Sequence, residues 1–205
     1  MKKTFIFLLI FTFFFIFNSI QAELIYHDLE SIGADNSVVS SVTFSNGIVV
    51  NMTANGSYNV IAATYNDSDA YMFAGVSGYN VPRNPGNVSY SRFISAQGAI
   101  TNASPVTFTF SSPVKSFGLT TIDALETGGS MQLELFDSQN NSLGYHSRSG
   151  DQGSSGLDLD WFATSSNNTN DAVKAVLTAN LNGGNGHGID DLVIELANTP
   201  TLSVN

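Results

Sequence analysis

Apolar and polar residues alternate along this chain in short runs separated by turn residues, and no i, i+3, i+4, i+7 apolar stripe persists for three turns. The pattern predicts strands throughout. Val106-Thr107-Phe108-Thr109-Phe110 alternates without a break, as does Met131-Gln132-Leu133-Glu134-Leu135. Period-two alternation puts Val106, Phe108, Phe110, Met131, Leu133 and Leu135 on buried faces. Asn46-Gly47 stands between Val42-Thr43-Phe44 and Ile48-Val49-Val50, the signature of a tight hairpin in which both turn residues take positive φ. A longer connection, Asp137-Ser138-Gln139-Asn140-Asn141, precedes Ser142-Leu143-Gly144-Tyr145. Further strands are predicted at 24–29, 58–65, 89–94, 114–121, 159–163, 173–179 and 189–196. About ten short strands and no helix predict an all-β fold, a two-sheet antiparallel β-sandwich. Polar loops are expected at 66–69, 75–87, 147–156 and 165–171, and loops carry function more often than the strands they join.

The first 22 residues read differently. A basic Met1-Lys2-Lys3, an apolar run from Phe5 to Phe17 broken only by Thr12, and Ile20-Gln21-Ala22 have the order of a secretion signal cut after Ala22. The run's 13 residues fall short of the roughly 20 that span a bilayer as a helix. An uncleaved anchor is the competing reading; the absence of cysteine excludes cysteine lipidation. The expected organisation is a signal peptide over 1–22, one sandwich domain over 23–197 and a flexible tail over 198–205. The product is expected to be secreted, outside the cell or at its surface, with no membrane attachment after cleavage.

Charge narrows the partners. Removing Lys2 and Lys3 takes the formal net charge from −10 to −12. The remaining basic residues, Arg83, Arg92, Lys115, Arg148 and Lys174, form no cluster in the sequence, which argues against nucleic acid or an anionic membrane as partner. Having no cysteine, the chain has neither disulfides nor thiolate metal sites. Asn51, Asn55, Asn66, Asn87, Asn102, Asn140 and Asn167 each begin an N-x-S/T sequon, which matters only where glycosylation machinery exists.

The stretch from Phe108 to Glu195 carries an ordered set of short motifs. They are Phe108-Thr-Phe-Ser-Ser-Pro-Val-Lys-Ser-Phe-Gly, Leu133-Glu-Leu-Phe-Asp followed by Asn-Ser-Leu-Gly, Trp161-Phe162, Val173-Lys-Ala-Val-Leu-Thr and Gly188-Ile-Asp-Asp-Leu. In this order they resemble the secreted β-sandwich proteins of the PEP-CTERM type, and Ile25-Tyr-His-Asp-Leu-Glu is similar to the acidic first strand of those proteins. The resemblance implies a jelly-roll or galactose-binding-like sandwich in a surface or matrix protein without assigned catalysis. The end, Ala197-Asn-Thr-Pro-Thr-Leu-Ser-Val-Asn, departs from it: there is no Pro-Glu-Pro motif, terminal helix or basic tail, so free secretion is expected.

Four carboxylates draw attention: Asp28 and Glu30 near the start, Asp190 and Asp191 near the end. On a strand Asp28 and Glu30 share a face with Leu24 and Tyr26, and Asp190 is in phase with Leu192, Ile194 and Leu196, so all are expected to point inward. Inward carboxylates repel unless protonated or neutralised by a cation, and calcium, which takes six to eight oxygen ligands, suits them. The resemblance also implies a structural calcium where first and last strands meet. The alternative is that the aspartates cap turns and accept from nearby backbone amides.

Asp158 and Asp160, two apart and ahead of Trp161, have the spacing for a pair of glycosidase carboxylates, or they merely face solvent at a loop edge. Trp161-Phe162 could stack on sugars or fill the core. His27, His146 and His187 form no zinc-binding spacing. For a ligand, the loops supply Tyr79, Asn80, Arg83 and Asn84, and His146, Arg148, Asp151 and Gln152, which are suited to stacking on and hydrogen-bonding sugars. The sequence therefore leads to a secreted, non-catalytic, calcium-stabilised module that binds polysaccharide or surface matrix. A self-associating matrix protein and a polysaccharide-active enzyme are the alternatives.

Overall fold

The structure is a computed structural model that describes residues 22–34, 37–54, 59–64, 92–96, 105–125, 129–150, 157–181 and 188–197. These residues form β1 (Glu23–His27), β2 (Ser41–Thr43), β3 (Val49–Ala54), β4 (Val60–Thr64), β5 (Arg92–Ala96), β6 (Val106–Val114), β7 (Ser116–Ala124), β8 (Gly129–Phe136), β9 (Ser142–Ser149), β10 (Leu157–Thr164), β11 (Ala172–Leu181) and β12 (Gly188–Leu196). Each falls on an expected strand, and no helix occurs among the described residues. Residues 1–21 of the expected secretion signal, the loops at 66–69 and 75–87 and the tail at 198–205 lie outside them.

Two sheets result. One runs β10-β7-β12-β5-β4, with β1 also on β12; the other runs β2-β3-β6-β11-β8-β9. Every ladder among the described residues is antiparallel, as in β7 against β12 or β8 against β11. From β6 onward the chain repeatedly crosses between sheets, so neighbours in sequence become neighbours across the core. The alternating strands supply its two walls. Phe108 and Phe110 of β6 meet Phe117 of β7 at ring separations of 4.9 and 5.2 Å. Leu119, Leu133, Leu135, Ile194 and Trp161 complete the same cluster. Burying each such side chain stabilises the fold by about 1.5–3 kcal/mol.

The β2–β3 connection differs from the expected two-residue turn. Gly47 alone has a positive φ, 86°, and its N–H donates to the Phe44 carbonyl at 2.9 Å. Phe44 and Ile48 close the loop at 2.9 Å, giving a three-residue hairpin ending in a left-handed glycine. The Asn46 side chain supports it by accepting from the Ile48 N–H at 3.1 Å.

Hydrogen bonds link the two sheets along each long side of the sandwich. On one, residues 37–40 first follow β4, with Val39 N–H donating to the Val60 carbonyl at 2.8 Å, and then pass to β3, where Met52 N–H donates to the Ser40 carbonyl at 2.8 Å. On the other, β9 and β10 approach from different sheets, tied by the Ser166 N–H to the Leu143 carbonyl at 2.7 Å. Exposed backbone edges template unwanted pairing, and these two crossings cover them at β4 and β10.

Candidate functional site

The pairing of β1 with β12 brings the segment that carries Asp28 and Glu30 beside the strand that carries Asp190 and Asp191. Ile25 pairs with Ile194 and His27 with Leu192, so the turn that follows β1 comes beside the start of β12. Leu29 takes a positive φ, 56°, and is wholly buried, leaving Asp28 and Glu30 to flank an apolar plug. Asp28 Oδ1 accepts from the Glu30 N–H at 3.3 Å.

On β12 the register shifts between Asp190 and Val193, and Asp191 has φ 45°. This β-bulge inserts an extra residue and resets which way side chains face. Asp190 pairs with Thr120, on the face of the sheet opposite to Phe117 and Leu119. The expected inward phase shared by Asp190, Leu192 and Ile194 is therefore corrected: Leu192 and Ile194 enter the core, and Asp190 does not. Leu24 and Tyr26 likewise lie on the face opposite the core residue Ile25, paired with Glu195 and Val193. Asp28 and Glu30 follow the end of β1, where the left-handed Leu29 breaks the alternation, so the phase expected for them from Leu24 and Tyr26 does not apply.

Asp190 is nevertheless only 1 % exposed. Its Oδ1 accepts from the Asp191 N–H at 2.8 Å, while Oδ2 is buried with no hydrogen-bond partner among the described residues. Burial first, then the charge of Asp191 and, further down, those of Glu30 and Asp28, push the Asp190 carboxyl up to about 8. The electrostatics thus unite the residues singled out from the sequence. Among the described residues no group of three or more His, Asp or Glu side chains is drawn together to hold a metal ion. Taken singly these side chains are of the kind a hard cation takes, oxygen donors that carry negative charge, and Asp190 Oδ2 is buried with no hydrogen-bond partner among the described residues. Turn capping accounts for Asp28 Oδ1 and Asp190 Oδ1 but leaves Asp190 Oδ2 unexplained.

The other expected residues scatter. Tyr79, Asn80, Arg83, Asn84, Asp151, Gln152 and His187 lie outside the described residues, as does the side chain of Asp158. His146 and Arg148 belong to β9 rather than to a loop, and both turn toward β10. His146 Nδ1 accepts from the Phe162 N–H at 3.2 Å, and Arg148 Nη2 donates to the Asp160 carbonyl at 3.4 Å. Both also pack on Trp161, the imidazole at 5.5 Å between rings and the guanidinium at 5.8 Å from the ring centre. Burial and then Arg148 hold the His146 imidazole below its usual range. These are seam residues, engaged within the protein.

Trp161 is wholly buried, with its indole N–H donating to Thr121 Oγ1 at 2.7 Å, so it fills the core. Asp160 is 1 % exposed and accepts from Thr120 Oγ1 at 2.8 Å. A carboxylate so enclosed has no face toward a substrate, which removes the basis for pairing it with Asp158 in glycoside hydrolysis.

One surface had no signal in the sequence. On the outer face of the β11-β8-β9 ladder, a groove of about 210 Å3 is lined by Ser130, Met131, Gln132, Ser147, Thr178 and Asn180. Tyr145, 64 % exposed, stands two residues along β9 from Ser147 on the same face.

No protein-family model matches this chain, and no curated protein matches it. Among solved structures it is similar to the K2 cleaved adhesin domain of Lys-gingipain, at 8% identity and a TM-score of 0.48 over 84% of this chain and 99% of that one. A DUF4465 family protein from Bacteroides caccae is similar at 14% identity and a TM-score of 0.45, over 83% and 99% of the two chains. The TmCBM61 structure with β-1,4-galactotriose is similar at 10% identity and a TM-score of 0.40, over 71% and 88%. Each likeness is loose, and none bears on what this chain does.

Proposed function

We propose that this chain is a secreted, non-catalytic β-sandwich module, stabilised by calcium where β1 meets β12, that binds extracellular polysaccharide or surface matrix. The observation that carries the calcium reading is Asp190 Oδ2: a buried carboxylate oxygen with no hydrogen-bond partner among the described residues, in the field of Asp191, Glu30 and Asp28. Calcium would be held by these residues, with backbone carbonyls completing its shell, and would replace mutual repulsion by attraction. Support for export comes from the arrangement of residues 1–22. A passive role is supported by the enclosure of Asp160, and the acidic charge favours neutral partners over anionic ones.

The test is thermal melting of the chain in millimolar calcium and in chelator. A ligand that binds only the folded state raises the midpoint by mass action, so a higher midpoint in calcium is expected, with the increment absent in Asp190→Asn. Equal midpoints for the parent protein in the two buffers would overturn the calcium reading. Failure to retain any polysaccharide would overturn the binding one.

The self-association alternative needs free strand edges. The contacts at 37–40 and between β9 and β10 cover two of them, so this reading is the weaker.

A further inference from the structure

We infer that the outer face of the β11-β8-β9 ladder, around Gln132 and Tyr145, is the binding surface, and that its ligand is an uncharged, hydroxyl-rich glycan chain. This rests on the binding reading above and adds its place and chemical class.

Register builds the surface. Thr178, Gln132 and Ser147 form one cross-strand row; Asn180, Ser130 and Ser149 form the next; Val176, Glu134 and Tyr145 flank them on the other side. Directly paired residues share a face, so hydroxyls and amides stand side by side over three strands spaced about 4.8 Å apart. A flat polar platform of this kind offers both donors and acceptors to a ligand that carries both.

Two details separate it from ordinary solvated sheet. The first is Tyr145. Only Val38 and Tyr145 are exposed large hydrophobic side chains among the described residues, and Val38 lies on the crossing segment beside β4. A tyrosine ring standing in water beside a polar groove is suited to the apolar face of a sugar, with its hydroxyl left for a hydrogen bond. The second is that Gln132 is held. Its Nε2 donates to Glu134 Oε2 at 2.9 Å, and Ser142 Oγ donates to Glu134 Oε1 at 2.5 Å. The amide is thereby oriented before a ligand arrives, and its carbonyl oxygen is the atom available to a ligand hydroxyl. Orientation in advance lowers the entropy cost of binding.

Charge selects the ligand class. All six groove residues are uncharged, Glu134 lies in the adjoining row, and the chain as a whole carries −10. A uronate or sulfated polysaccharide would meet repulsion there, whereas a neutral one would not. The groove, about 210 Å3, is smaller than the roughly 300–1,000 Å3 of enclosed small-molecule pockets. It fits a short stretch of a chain that continues outward at both ends.

The experiment is affinity electrophoresis of the full mature protein in calcium, through gels containing dextran, mannan, xyloglucan or alginate. Retardation by at least one neutral polymer and none by alginate is expected. Tyr145→Ala and Gln132→Ala should each weaken that retardation by about tenfold, while Tyr145→Phe retains most of it. Thermal midpoints of the variants verify folding, since Tyr145 projects into solvent. If the parent protein is retarded by a neutral polymer and both alanine variants are retarded equally, this surface is wrong and the broader reading stands. If alginate alone retards it, the ligand class is wrong. If no polymer retards it, the binding reading and this inference fall together.

Discussion

The backbone N–H of Phe162 donates to Nδ1 of His146 across the seam between the two sheets, at 3.2 Å. A side chain here takes the place of a backbone ladder partner. Two residues away, Arg148 does the same for the Asp160 carbonyl. Only neutral imidazole can accept at Nδ1, so the seam depends on pH. An unfolded histidine titrates near about 6.5, and burial, then Arg148, lower the value in the fold. Stability is therefore fully present above about 6.5 and is lost as pH falls toward the folded value, because the unfolded chain takes up the proton first. His27 acts in the same direction, lowered by burial with Asp28 opposing. His146→Asn, which keeps an acceptor, should reduce the loss of urea stability between pH 7 and pH 5 when both proteins are measured in the Asp190→Asn background. Parallel profiles would refute the assignment.

That background matters because Asp190 works in the opposite sense. Its folded value of about 8 lies above the ordinary 3.8. Its contribution is present below about 4 and is lost as pH rises to about 8, at up to roughly 1.4 kcal/mol per pH unit. In chelator, Asp190→Asn should be more stable than the parent at pH 8 and should approach it near pH 4. Calcium should flatten the parent's profile, since a cation at the carboxylates favours their charged form. A parent profile that ignores both calcium and the substitution would show that Asp190 is satisfied by other means.

Gly144 sets how closely β9 and β10 approach. A Cβ at this position would lie 2.4 Å from the Thr164 carbonyl oxygen, and that backbone is tied nearby by the Ser166 N–H to the Leu143 carbonyl. Neither strand can yield without loosening the seam. Gly144→Ala should cost about 1–3 kcal/mol as an overpacking change. Trp161, the only tryptophan, reports the shift by fluorescence because it packs on His146. An unchanged melt and spectrum in the variant would mean that the seam is looser than these distances imply.

The strands were legible in the sequence because alternation is an energetic requirement of a sheet with one buried face. Phe108, Phe110, Leu133 and Leu135 lie in the core as expected. The chemistry was less legible, and two bulges are the reason. Leu143 and Tyr145 are two apart, yet Leu143 is buried and Tyr145 exposed, because the register shifts between Leu135 and Phe136 against Gly144 and Ser142. The shift turns His146 and Arg148 toward β10 and Tyr145 toward solvent. At Asp190 a second shift separates the carboxylate from the core residues with which it is in phase by count. Period-two reasoning carries no information about an inserted residue. What reaches Asp190 from Asp28, Glu30 and Asp191 is their charge, and that depends on which strands are neighbours rather than on phase.

Lys115 and Glu195 join the β6–β7 corner to the end of β12. Their charged groups lie 2.8 Å apart, with side chains 14% and 13% exposed, and Ser116 Oγ donates to the second Glu195 oxygen at 2.5 Å. Backbone bonds repeat the tie: Lys115 N–H donates to the Glu195 carbonyl and Ser165 N–H to the Lys115 carbonyl, both at 2.9 Å. The pair is too enclosed to behave as a surface ion pair worth about 0–1 kcal/mol. Removing the cation leaves a largely dehydrated carboxylate with one hydroxyl donor, so Lys115→Met should cost about 1–3 kcal/mol. Glu195→Leu should cost less, because the flexible ammonium can turn to water. The double variant should be more stable than the sum of the single losses implies, since apolar side chains of similar volume replace a pair that bore a dehydration cost. A double-mutant cycle in urea measures the coupling, and strict additivity would mean that solvent already screens the pair.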